Sequence, residues 1–92
     1  MAVVWDTDKE RKLEAERGIG PAEIADLIVS GKYLAVLENP SRRGQTLFLV
    51  DYHRYTHVVP FVVDRDDNIV LKTALPSRKF HKIYGKGHEN KT

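Results

Sequence analysis

Arg78, Lys79, His81, Lys82 and Tyr84 fall close together near the end of the chain, inside the segment LKTALPSRKFHKIY (residues 71–84). This segment leaves an apolar stretch through Pro76 and Ser77 and then turns cationic. Arginine grips phosphate through a planar fork, and lysine does so as a point charge. An imidazole, with an ordinary pKa of about 6.5, exchanges protons near neutral pH. Tyrosine and histidine rings stack on unpaired bases. The same residue types recur upstream, where Arg42, Arg43, Arg54 and Lys72 alternate with Tyr52, Tyr55 and His57.

Such a set suits the cleavage of RNA. A base takes the proton of the 2′-hydroxyl, which attacks the neighbouring phosphorus. Cations stabilise the added negative charge, and an acid protonates the leaving 5′-oxygen. The nucleophile belongs to the substrate, so neither a thiol nor a metal is required. Arg78 is the expected phosphate ligand, with Lys72 and Lys79 assisting. His57 is the expected base or acid, and Tyr55 a stacking platform or acid. Arg43, Arg54, Lys82 and Tyr84 are expected to add RNA contacts. Each residue also has a plainer role: a sheet histidine at His57, packing at Tyr55 and Tyr84, a solvated Lys72, a salt-bridging Arg78.

Other chemistries find less support. His53 and His57 are four residues apart, roughly 13 Å along an extended strand, too far to share a metal unless a turn folds them together. Ser30, Ser41 and Ser77 lack a glycine-flanked elbow. The glycines of RGIGPAE (residues 17–23) lack the preceding strand and the spacing of a phosphate-cradling loop. No cofactor and no metal are expected.

Composition narrows the class further. Ninety-two residues, 41% hydrophobic and 30% charged, describe one folded domain with a modest core. The absence of cysteine excludes a disulfide scaffold and a thiol nucleophile, and it suits a reducing cytoplasm. The longest apolar run, residues 58–63, is interrupted by Pro60, so no membrane segment is expected. Charge is uneven. Residues 1–38 carry five Lys/Arg against eight Asp/Glu, and residues 77–92 carry five against Glu89 alone. The basic end points to an anionic partner.

The elements that must position these groups follow from periodicity. Residues 2–5 form a short strand or an anchoring arm. Asp6 is an N-cap for a helix that ends at Gly18. Gly20-Pro21 opens a second helix, with Ile24, Leu27 and Ile28 on one stripe. The period then becomes two, giving strands at residues 33–37, 45–51, 55–63 and 69–75. Short connections imply an antiparallel meander. Pro60 is expected at a bulge or a locally unpaired edge. The predicted fold is α+β: two N-terminal helices on one face of an antiparallel sheet of four or five strands. Residues 1–84 form the domain, and residues 85–92 a disordered tail.

Three segments resemble one family. VVWDTDK (residues 3–9), RGIGPAEIADLI (residues 17–28) and YTHVVPFVVD followed by IVLKTALPSRKFHKIY (residues 55–64 and 69–84) are similar to BrnT-like toxins of bacterial toxin–antitoxin systems. The resemblance implies a RelE-like ribonuclease fold, metal-independent RNA cleavage that inhibits translation, and ribosome-bound mRNA as a form of substrate. It implies a cognate antitoxin, with a heterotetramer as one form of that complex. Arg78 and Lys79 carry over most directly, with Lys72 behind them. Two departures stand out: His57 replaces an aromatic, and Tyr52-His53-Arg54 replaces a glycine-containing turn. The competing readings are a binding module without chemistry, such as a ParE-like inhibitor of a DNA-handling enzyme, and a degenerate toxin kept as an antitoxin partner.

Overall fold

Strand β1 (Val3–Trp5) is the short N-terminal segment, and it runs parallel to β5 (Ile69–Leu71) with Val3, Val4 and Trp5 opposite Ile69, Val70 and Leu71. The structure is a computed structural model and describes residues 2–39 and 41–85. Asp6 follows in extended conformation, and its carbonyl accepts from the Lys9 and Glu10 amides, starting helix α1 (Thr7–Lys12). The helix continues as a π turn over Leu13–Arg17, where Leu13 turns into the core, and Gly18 closes it at φ 65°. A left-handed residue there is the usual glycine stop. Helix α2 (Pro21–Val29) begins with proline at its first position and buries Ile24 and Ile28.

Strands β2 (Tyr33–Glu38), β3 (Thr46–Tyr52) and β4 (Tyr55–Val63) form an antiparallel meander. β3 and β4 meet at a two-residue turn in which His53 and Arg54 both have positive φ, 51° and 65°. That turn type matches the twist of a hairpin and normally selects asparagine or glycine. β5 and the two-residue β6 (Leu75–Pro76) both pair with β4, and the sheet order is β1-β5-β4-β3-β2 with β6 beside β4. Helix α3 (Arg78–Tyr84) follows, capped by the Ser77 hydroxyl, which accepts from the Phe80 amide at 3.3 Å.

The expected α+β class holds, and three parts of the expected arrangement change. The sheet is mixed rather than antiparallel, because β1 joins it in parallel. The last strand, expected over residues 69–75, is broken at residues 72–74. Arg78 to Tyr84, including the expected RNA contacts Lys82 and Tyr84, form a third helix that the two-helix expectation lacked. Beyond Gly85 the expected tail lies outside the described residues.

Pro60 explains the break in the last strand. The Lys72 amide donates to the Pro60 carbonyl at 2.9 Å, and the Ser77 amide to the Thr56 carbonyl at 3.0 Å. Even-numbered residues of β4 therefore point their backbone groups toward β5 and β6. The donor that Pro60 lacks falls opposite Lys72, where the ladder keeps only the bond from the Lys72 amide and then breaks until Leu75.

One core lies between the first two helices and the sheet. It joins Leu13, Ile19, Ile24 and Ile28 to Phe48, Val50, Tyr52, Val59, Leu71 and Ala74. Tyr52 ties the layers together, since its hydroxyl accepts from the Gly20 amide at 2.9 Å. Trp5 does the same from β1, donating through Nε1 to the Pro21 carbonyl at 2.8 Å. The opposite face of the sheet carries Leu47, Leu49, Thr56 and Pro60.

Candidate anion-binding groove

The last strand breaks just after Leu71, at Lys72, whose amide still bonds to the Pro60 carbonyl. The register of Lys72, one residue past the Leu71–Phe61 pair and opposite Pro60, places it on the Pro60 face. There it lines a groove of about 490 Å³ together with Lys9, Arg42, Asn39, Ser41, Gln45, Thr73, Pro60 and Leu75. Pro60 and Leu75 supply the apolar surface, and three cations stand around it. Lys9 comes from the first turns of α1, and Arg42 from the loop between β2 and β3. That loop is held in shape by Asn39, whose Oδ1 accepts from the Ser41 amide at 2.9 Å and whose Nδ2 donates to Gln45 Oε1 at 2.7 Å.

Asp6 sets the electrostatics of this wall. Its carboxylate accepts from Lys72 Nζ at 3.0 Å, and both side chains are partly exposed. The Lys72 hydrogen bond is the chief cause that holds the Asp6 carboxyl below its usual pKa. The pair keeps Lys72 at the groove instead of free in solvent. An anion entering the groove meets an ammonium already oriented but partly neutralised.

His57 lies elsewhere. Alternation along β4 puts it with Val59 and Phe61 on the helix-side face, and it is only 7% exposed. Its Nδ1 sits 2.8 Å from the Tyr55 carbonyl oxygen, a contact that requires Nδ1 to carry the proton and donate. Burial is the main cause that lowers its pKa, opposed in part by the Tyr55 carbonyl. The ring meets Tyr52 edge-on at 5.3 Å. Tyr55 is half-buried and stacks on His81 with ring centroids 4.1 Å apart. His81 Nδ1 lies 3.2 Å from the Thr56 amide, which donates to it. One face of Tyr55 is thus covered by a ring of the protein itself.

A pH dependence follows for His57. Its folded pKa is below the ordinary histidine value of about 6.5, so the unfolded chain binds the proton more readily. The unfolding free energy is therefore constant, for this group, above about pH 6.5 and falls as pH drops toward the folded pKa. In His57→Gln, which takes up no proton in this range, that part of the slope disappears. Denaturant titrations at a series of pH values measure it, and an unchanged slope would place the acid sensitivity in another group.

The remaining expected contacts are dispersed. Arg43 lies in the β2–β3 loop and Arg54 in the β3–β4 turn, both exposed. Arg78, Lys79 and Lys82 are exposed on α3, and Lys79 Nζ sits 5.6 Å from the Phe80 ring centroid. Tyr84 is half-buried, 6.3 Å from Phe80. The structure thus brings Lys72 together with Arg42 and with Lys9, which the sequence presented only as part of a helix start. It separates Lys72 from His57 by putting them on opposite faces. Asp6 read as an N-cap and gave no sign of its ion pair, because Lys72 is 66 residues away.

Among the described residues no group of His, Asp and Glu could hold a metal ion, and no helix is long and apolar enough to cross a membrane. No protein-family model, curated protein or solved structure matches the chain.

Proposed function

We propose that this chain is an RNA-directed toxin with a RelE-like fold: a metal-independent, BrnT-like endoribonuclease that inhibits translation and is held in check by a cognate antitoxin. The groove bounded by Lys9, Arg42 and Lys72 is the observation that carries this reading. Three cations around an apolar patch match a phosphate backbone with a base laid beside it. The chain then runs from Leu75 in the groove wall, through Pro76 and the Ser77 cap, to Arg78 and Lys79. In the reaction, the groove cations hold the strand, and Arg78 stabilises the charge that develops on phosphorus.

The decisive experiment incubates the purified chain with RNA in excess EDTA. Wild type cleaves, and Arg78→Ala loses about 2–3 kcal/mol of transition-state stabilisation, on the order of 100-fold in rate. Cleavage that is absent in wild type, or undiminished in Arg78→Ala, ends this reading.

One observation favours a second reading, binding without cleavage. His57, the expected base or acid, is buried on the face away from the groove. A non-catalytic module retains RNA in filter binding, leaves it intact, and is indifferent to His57→Ala. Running the cleavage and binding assays on one preparation separates the two.

A further inference from the structure

β2 forms one edge of the sheet, and among the described residues no strand pairs with its outer side. The Asn39 amide donates to the Gln45 carbonyl at 2.7 Å, which fixes the parity of the β2–β3 ladder. Ala35 and Leu37 therefore turn their backbone groups toward Leu49 and Leu47, while Val36 and Glu38 turn theirs outward. Exposed edges are normally blunted by a lysine, a proline or a bulge within the strand. In YLAVLE there is no charge before Glu38, and the bulge lies at the start, between Tyr33 and Ala35. The exposed side chains are apolar: Tyr33 at 39% and Val36 at 45%. Val36 is in register with Phe48, and the Tyr33 ring lies 5.0 Å from the Phe48 ring, so apolar surface continues from the core to the edge.

The charges at the two ends of β2 select what completes this edge. Lys32 precedes the strand and Glu38 ends it. Two copies paired antiparallel about Val36 place Glu38 of one opposite residue 34 of the other and diagonal to its Lys32, within reach of two long side chains. Parallel pairing sets like ends side by side. Opposite charges facing across a strand pair are favourable and like charges are not. The edge is therefore complementary to itself, as a two-fold contact requires.

We propose that β2 is a homodimer interface, in which two copies join edge to edge and antiparallel into one continuous sheet. The outward Val36 amides bond across the two-fold, and the two Val36 side chains meet on the helix-side face. The proposal stands on the edge strand and is independent of the RNA-cleaving reading.

Light scattering behind a sizing column tests it on the whole chain. Wild type is expected at twice the chain mass of 10.5 kDa. Val36→Lys is expected at the single-chain mass with an unchanged far-ultraviolet spectrum. Lys32→Glu weakens the dimer roughly tenfold by opposing like charges at both junctions, and Glu38→Lys in the same chain restores it. The charge pair decides the matter should Val36→Lys fail to fold. A wild-type monomer at every soluble concentration overturns the proposal and leaves the edge to a strand of another protein. A dimer indifferent to the charge reversal overturns it as well.

Discussion

Leu71→Ala is expected to lower the unfolding free energy by roughly 3–4 kcal/mol, as for other fully buried leucines whose surroundings cannot collapse. Leu71 is 0% exposed and stands between two strands, in register with Trp5 on β1 and Phe61 on β4. Its neighbours are poorly placed to fill the space. Trp5 is anchored through Nε1 to the Pro21 carbonyl, and Phe61 is stacked on Phe48 with centroids 4.4 Å apart. A domain of this size has only about 5–15 kcal/mol to lose, and each kcal/mol shifts the melting midpoint by about 4–8 °C. Leu71→Met conserves most of the volume and should cost less than about 1.5 kcal/mol. Val63→Ala, at a site 57% exposed, should stay within about 0.5 kcal/mol. Denaturant titration of the three variants measures the ordering. A loss below about 1 kcal/mol in Leu71→Ala would mean that the core does not run through β5.

The elements that local pattern determines were legible in the sequence. The strand over residues 55–63 has the predicted bounds, because an apolar run flanked by turn residues has one economical extended reading. Helix α2 follows its proline start and its stripe of Ile24 and Ile28. Pro60 signalled an interrupted ladder, and the interruption lies across from it, at residues 72–74. The helix ending at Gly18 followed from the one residue type that accepts φ 65° there without strain.

Long-range pairing was not legible. The parallel partnership of β1 and β5 joins residues 66 apart, and no short-range spacing encodes it. Helix α3 defied its local signals. It places Arg78 and Lys79 in the first turn, where the helix dipole disfavours cations. The Ser77 cap and the contact of His81 with Thr56 hold it against β4. The same limitation shaped the site. Alternation placed Lys72 and His57 on their own strands, but only the register between strands puts them on opposite faces. Lys9, Arg42 and Lys72 come from three different parts of the chain, and tertiary structure alone gathers them at one groove.

On the RNA-cleaving reading, Lys72→Met is expected to lower the cleavage rate at limiting substrate by about 100-fold. Two effects combine in that loss. The methionine keeps the aliphatic stem but removes a cation from the groove wall. It also uncovers the Asp6 carboxylate, which the ammonium now holds at 3.0 Å, and leaves it facing phosphate. The second effect is separable. Asp6→Asn in the Lys72→Met background removes the repulsion and should recover part of the lost rate. Asp6→Asn alone frees the ammonium for substrate and should weaken binding little or strengthen it. Salt dependence isolates the first effect, since each phosphate contact on a single strand contributes about 0.7 to the slope of log affinity against log salt. Lys72→Met should therefore lower the slope by about that amount, while Asp6→Asn should not. A Lys72→Met slope equal to that of wild type would move the RNA away from this groove. The exposed cations of α3 would then be its contact, with the Lys72–Asp6 pair left as a brace between β1 and the broken strand.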